Sequence, residues 1–347
     1  MNQGTILHLC GWDKKFIPPF IDLIHTHFSD GRHKFIVYGL MDRAQLPQSS
    51  DIKVYGSLLK NIFALSKAMH QAEKIILHGL FNNHLLYFLA LQPWLLKKCH
   101  WVIWGGDLYV HQSPLKDWRL KKNELFRNIV IKHLGYLLTY VPGDVVLARQ
   151  WYGATGQYQE CLMYTSNIFK QIAIASKTGS EINILVGNSA DATNNHLDVF
   201  EKLAAFKSES MMIYCPLSYG QRNDGYAKLV AEKGAAMFGA KFVAMTDFMP
   251  YLEYLKFLGQ IDIAIFAHKR QQGMGNTITL LGLGKKVYMR SDVTPWTLFS
   301  SLGITVFDVE KIDISPLSKN KAGENKKIIF GYFSEKKLID DLKDIFQ

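Results

Sequence analysis

Cysteine is scarce in this 347-residue chain. Cys10, Cys99, Cys161 and Cys215 are scattered without paired spacing. That excludes a Cys-ligated zinc module and a disulfide framework, and fits a reducing compartment. Long greasy runs are also missing: Leu85–Leu96 is interrupted by Gln92 and Pro93, short of the roughly 18 apolar residues that span a bilayer. The start, MNQGTILHLCGW, has no basic region ahead of its apolar run, so no signal peptide is expected. There is no Gly-Lys-Ser/Thr phosphate loop, no internal repeat and no low-complexity segment. A soluble globular protein is expected.

What is present points to size and alternation. The chain is too long for one ordinary core, and a 48% hydrophobic and 13% aromatic share supplies material for two. Short apolar segments recur at Thr5–Leu9, Lys34–Tyr38, Lys74–Leu77, Trp101–Trp104, Tyr136–Tyr140 and Glu160–Tyr164. Each leads into Gly, Asp or Pro, as strands of a parallel sheet buried on both faces do. After Ile168–Glu181 the pattern restarts at Ile182–Val186, Met211–Cys215, Lys241–Met245, Ile261–Ala267 and Lys285–Met289. The expected architecture is α/β, with two Rossmann-like, doubly wound parallel-sheet domains, residues 1–172 and 173–347, the last helix packing back on the first. Sheets of this kind bind ligands at the carboxyl ends of their strands, so function is expected in a cleft between the domains.

The stretch Ile261–Lys286 carries the strongest local signal: an apolar strand, a short basic loop, Gly273-Met274-Gly275, then an apolar helix. Unpaired N–H groups at a helix start bind anions, and Arg270 offers a guanidinium fork. A diphosphate is the expected ligand; the blander reading is a turn that needs glycine for its geometry alone. The dinucleotide fingerprint is not met, because its third glycine position holds Ile278.

The formal net charge is +10, from 40 Lys+Arg against 30 Asp+Glu. Part of the excess lies in Lys116–Lys132, where Arg119, Lys121, Lys122 and Arg127 accompany Trp118, Leu125 and Phe126. Such a segment reads as an interfacial helix on an anionic membrane, or as a solvated helix packed on a sheet. No nucleic-acid motif appears.

Polar residues gather in the loops after the strands: His8–Asp13, His78–Asn82, Trp104–Tyr109, Gly187–Asp191, Pro216–Tyr219 and the Arg270 loop. Singly, His8 and His78 read as structural histidines, Asp107 as a turn cap, and Trp101 and Trp104 as core. Together, at the same strand ends, they mark a site.

HGLFN (His78–Asn82), WVIWGGDLY (Trp101–Tyr109), INILVGNSADATNNH (Ile182–His196) and RQQGMG (Arg270–Gly275) closely resemble glycosyltransferase family 56. The resemblance implies a GT-B fold and transfer of 4-acetamido-4,6-dideoxygalactose from a dTDP donor. The acceptor would be a polyprenyl-diphosphate-linked saccharide of surface polysaccharide (enterobacterial common antigen) synthesis, at the cytoplasmic face of the inner membrane, where the enzyme is peripheral. It runs from about His8 to Trp296, and Asn276 stands where Thr is expected. No Asp-x-Asp metal motif is found, so no metal is expected and helix dipole and arginine would neutralise the leaving diphosphate.

The expected donor contacts are Gly187, Asn188, Ser189, Tyr219, Arg270, Gln271, Gln272, Gly273, Gly275 and Asn276. Asn82, Trp104 and Tyr109 would meet the acceptor. Asp13 is the preferred general base, Asp107 the second candidate, with His8 and His78 behind them. A non-hydrolysing sugar-nucleotide epimerase and a non-catalytic nucleotide-sugar-binding protein are the alternatives.

Overall fold

The computed structural model describes residues 4–39, 43–114, 116–171, 177, 179–220 and 224–347. They divide into two compact units, residues 1–167 with 335–347, and residues 168–334. The expected boundary between 172 and 173 lies outside the described residues.

The first unit alternates strand and helix: β1 (Ile6–Gly11), α1 (Ile17–His27), β2 (His33–Tyr38), β3 (Ile52–Tyr55), α2 (Ile62–Gln71), β4 (Lys74–His78), α3 (Asn83–Ala90), β5 (Cys99–Val102), α4 (Trp118–His133), β6 (Tyr136–Leu138), α5 (Pro142–Tyr152) and β7 (Gln157–Gln159). All seven strands are parallel in the order β3-β2-β1-β4-β5-β6-β7. β1 and β4 start neighbouring ladders that run in opposite directions across the sheet, which makes their carboxyl ends the switch point. Leu7, Leu9, Leu77 and Trp101 project into one core beneath α2, α3 and α4. Each such side chain contributes about 1.5–3 kcal/mol by leaving water.

The second unit runs β8 (Ile182–Val186), α6 (His196–Leu203), β9 (Met211–Pro216), α7 (Asp224–Phe238), β10 (Phe242–Met245), α8 (Tyr251–Gln260), β11 (Ile263–Phe266), α9 (Met274–Gly282), β12 (Lys286–Met289), α10 (Thr294–Ser301), β13 (Phe307–Asp308) and α11 (Lys319–Tyr332). Its six parallel strands lie in the order β10-β9-β8-β11-β12-β13, with the switch point between β8 and β11. The final helix, α12 (Glu335–Phe346), belongs to the first unit. There the Phe346 ring lies 4.6 Å from His33, and Asp341 accepts from Leu162 N at 3.1 Å.

Several segments depart from the sequence reading, two of them at the site's edge. Glu160–Tyr164 is not a strand; the pairing segment is Gln157–Gln159, and Met163 takes φ 60° as the chain turns inward. β5 ends at Val102 rather than Trp104, because the Trp104 N–H turns out of the ladder to a carboxylate oxygen of Asp107 at 3.0 Å.

Candidate active site

In the first unit the strand-end loops bring the expected residues together, and most of their polar atoms are consumed there. Asp107 is fully buried. Its Oδ2 accepts from Leu80 N (2.9 Å) and Trp101 Nε1 (2.7 Å), its Oδ1 from Trp104 N (3.0 Å) and Leu108 N (3.1 Å). Burial pushes this carboxyl up, against the opposing pull of those donors and of Arg127. A carboxylate so enclosed welds the loop after β4 to the loop after β5 and to Trp101 of that strand, and its saturation speaks against the expectation that Asp107 acts as a base.

Arg127 is corrected with it. It is only 3% exposed, and its Nη1 donates to Leu80 O at 2.8 Å and Asp107 O at 3.1 Å. It braces the same loops from beneath and meets no membrane. Arg119, Lys121 and Lys122, one to two turns earlier on α4, are exposed.

The histidines form a chain whose direction is fixed. Trp104 Nε1–H can only donate, and it does so to Tyr164 Oη at 3.0 Å. The tyrosine proton therefore goes to His78 Nδ1 (2.7 Å), His78 Nε2–H to His8 Nδ1 (3.1 Å), and His8 Nε2–H to His33 Nδ1 (2.9 Å). Burial lowers the basicity of all three, to about 3 for His78 and about 4 for His33. His8 and His78 thus have both nitrogens engaged and lowered basicity, which speaks against the expectation that either acts as a catalyst.

Asp13 differs. It is half-buried, and its Oδ1 caps the turn before α1, accepting from Lys15 N (2.8 Å) and Phe16 N (3.3 Å). Its second oxygen has no hydrogen bond among the described residues. Nearby, Trp104 packs against Phe16 (4.7 Å), Tyr164 (5.5 Å) and Phe81 (5.8 Å), an aromatic corner at the carboxyl ends of β1, β4 and β5. Asn82 spends its side-chain oxygen as the N-cap of α3, on His84 N and Leu85 N. Tyr109 starts a short helical turn and meets Trp151 edge-on at 5.2 Å.

In the second unit, the loops after β8 and β11 are tied by Asn194, which the sequence reading missed as a site residue. Its Oδ1 accepts from Asn188 N (2.9 Å) and His268 Nε2 (2.8 Å); its Nδ2 donates to Ser189 Oγ (3.1 Å) and Asp191 O (2.8 Å). Thr193 Oγ1 adds a bond to Gln272 Oε1 at 2.7 Å. Burial first, then the neighbouring Arg270 charge, lowers His268 to about 3. The only sequence signal for this tie was polar density in TNNH after a strand.

Gly187 and Gly273 have left-handed backbones, φ 69° and 66°. A Cβ on Gly187 would lie 2.5 Å from His196 Nε2, and one on Gly273 3.2 Å from Asn188 Cγ, so neither position admits a side chain cheaply. Gly273 is the N-cap of α9, which puts the N–H groups of Met274, Gly275 and Asn276 in the first turn, where no helical carbonyl receives them. Asn276 Nδ2 reaches Tyr254 Oη at 2.9 Å, joining α8 to that turn. Tyr219 is exposed, and its carbonyl accepts from Ala190 N at 2.7 Å. Around the switch point Asn188 Oδ1, Gln271 Oε1 and His196 Nε2 are buried without a partner among the described residues.

The model of one family, described as 4-alpha-L-fucosyltransferase glycosyl transferase group 56, matches residues 14–319. The chain belongs to this family. As a group 56 glycosyltransferase it is a nucleotide-sugar-dependent transferase. Solved structures share its two-domain GT-B fold at low identity. A glycosyltransferase from Rickettsia africae has 13% identity and TM-score 0.67, over 100% of this chain and 98% of that one. Sucrose-phosphate synthase from Thermosynechococcus elongatus has 11% and 0.65, over 99% and 98%. HepE from Anabaena, in complex with UDP and glucose, has 11% and 0.57, over 99% and 95%.

Proposed function

We propose that this transferase moves a 4-acetamido-4,6-dideoxygalactose-type sugar from a dTDP donor to a polyprenyl-diphosphate-linked saccharide, working without a metal at the cytoplasmic face of the inner membrane. The observation that carries the donor half is the second-unit switch point. The Asn188 and Gln271 side-chain oxygens, buried there without a partner among the described residues, can accept from a sugar hydroxyl or N–H, beside the open first turn of α9 and Arg270, which can take the phosphates. Leaving buried polar groups unpaired costs about 1–3 kcal/mol each, a cost that a bound ligand removes.

The chemistry follows from the groups present. The acceptor hydroxyl oxygen bonds to the anomeric carbon as the bond from that carbon to the diphosphate oxygen breaks. The leaving diphosphate takes the electron pair, and its new charge falls to the α9 N–H groups and Arg270. The hydroxyl proton goes to Asp13, the one acidic candidate of the acceptor unit with an oxygen left over. Tyr219 would stack against the nucleoside, and the Trp104 corner would hold the acceptor saccharide.

A thermal-shift panel of dTDP, UDP, GDP and CMP, each with and without its sugar, tests the donor. At a hundred times the dissociation constant, dTDP should add about 2.7 kcal/mol of apparent stability. A larger shift with another nucleotide would overturn dTDP. Loss of that shift in Gly275→Val places the phosphates at α9; normal binding in that variant puts them elsewhere.

A further inference from the structure

The first unit carries large apolar side chains in water at two opposite ends of one helical layer, with Leu125 exposed midway along α4; lysines stand at both ends, Lys97 and Lys98 beside Trp94, but one end carries five such side chains and the other two. In each βα unit a helix begins at the carboxyl end of the sheet and runs back to the amino end. Leu59 and Phe63, at the start of α2, are 52% and 89% exposed; Phe81, just before α3, is 49% exposed; Trp118 and Leu120, at the start of α4, are 66% and 41% exposed. All of these stand at the carboxyl-end rim. Lys60, Lys116, Arg119, Lys121 and Lys122 lie among them, with Asp117 as the acid of these stretches. Asp117 is spent as the α4 N-cap, on Arg119 N and Leu120 N. Lys122 lies 4.8 Å from the Tyr87 ring of α3 and 5.4 Å from Trp118, which ties the α4 part of the rim to α3. At the other end, Leu91 and Trp94 are 73% and 61% exposed just before β5. Trp94 Nε1 is bonded there to His70 Nε2 at 3.0 Å.

We infer that the rim Leu59–Phe63–Phe81–Trp118–Leu120, and not the Trp94 end, is a docking face for an anionic bilayer. The inference rests on the membrane-facing part of the function proposed above and gives it a location and an orientation. Aromatic and aliphatic side chains enter the interface while flanking lysines and arginine meet lipid phosphates. The same rim carries Asn82, Trp104 and Tyr109, so a lipid-linked saccharide would meet the acceptor loops with its polyprenyl chain still in the bilayer.

The test is flotation of the purified chain with vesicles of phosphatidylcholine alone or with phosphatidylglycerol, with melting midpoints checking that each variant is folded. The wild type should float with the anionic vesicles and be released at high salt. Phe63→Ser with Trp118→Ser should cut partitioning roughly tenfold or more, from the apolar area withdrawn. Trp94→Ser should leave it unchanged. Equal loss in Trp94→Ser, or none in the rim variant, overturns the assignment. So does a lipid-free wild-type dimer that the rim variant dissolves, because a second copy would then cover the face. Nucleotide binding without flotation overturns the docking face alone; flotation without nucleotide binding overturns the donor reading alone.

Discussion

The two switch points use the same chemistry to opposite ends. In the first unit, Asp107 takes four donors and the His8–His78–Tyr164 chain leaves no nitrogen of those two histidines over. In the second, Asn194 is also saturated, yet Asn188, Gln271 and His196 each keep a buried polar atom unpaired among the described residues. A saturated group such as Asp107 fixes a wall, whereas an unpaired buried atom is open to a further partner; among the described residues His33 Nε2 and Arg127 Nε, at the edges of the first cluster, lack a hydrogen-bond partner as well. Polar density alone does not say which groups are spent; the count of partners on each group does.

Acid should produce the largest effect and strike both units. His33 and His196 are held to about 4, His78 and His268 to about 3, each from an ordinary value near 6.5. The unfolded chain takes up protons as pH falls below 6.5 and the folded chain does not, so stability is full above that pH and is lost progressively towards 3. Each neutral imidazole removes about 1–2 kcal/mol by pH 5, together enough to unfold a marginally stable protein. Denaturant titrations at pH 7, 6 and 5 measure this; a flat profile means these histidines titrate alike in the folded and the unfolded chain.

Asp107→Ala is next. It strands Arg127 and four buried donors and should cost about 3–5 kcal/mol of stability, read from chemical denaturation. A folded, fully stable variant lacking only activity would show that the first cluster is catalytic after all and erase the contrast.

Asp13→Asn should keep the melting temperature and donor affinity while turnover drops roughly 10²–10⁴-fold at saturating acceptor. Near-normal turnover would leave the first unit without a base. The smallest effect is expected for Arg270→Lys, where loss of the bidentate fork should weaken nucleotide-diphosphate binding about tenfold with the fold intact. Unchanged affinity in calorimetry would detach Arg270 from the phosphates.

Local rules made much of this legible from the residues. β8 (Ile182–Val186) falls on its expected span, and the apolar run from Ile261 with Gly273 after it yields β11, a turn and α9, because strand, glycine turn and helix start are set within a few neighbours. β3 (Ile52–Tyr55) escaped the sequence reading, since four residues are too few for a periodic signal. The α4 basic face was visible from helical spacing; that Arg127 turns inward while Arg119 does not depends on the Leu80 and Asp107 carbonyls it meets.

The sequence by itself determined the alternation of strands and helices, the glycine turn before α9 and the excess of positive charge, all properties of short stretches of chain. Only the tertiary structure decided which polar groups remain free to act. His8 lies 70 residues from His78, and Asp107 27 from Leu80. A group's partners, and with them its burial and protonation, are set by chain segments that meet only when the sheet forms.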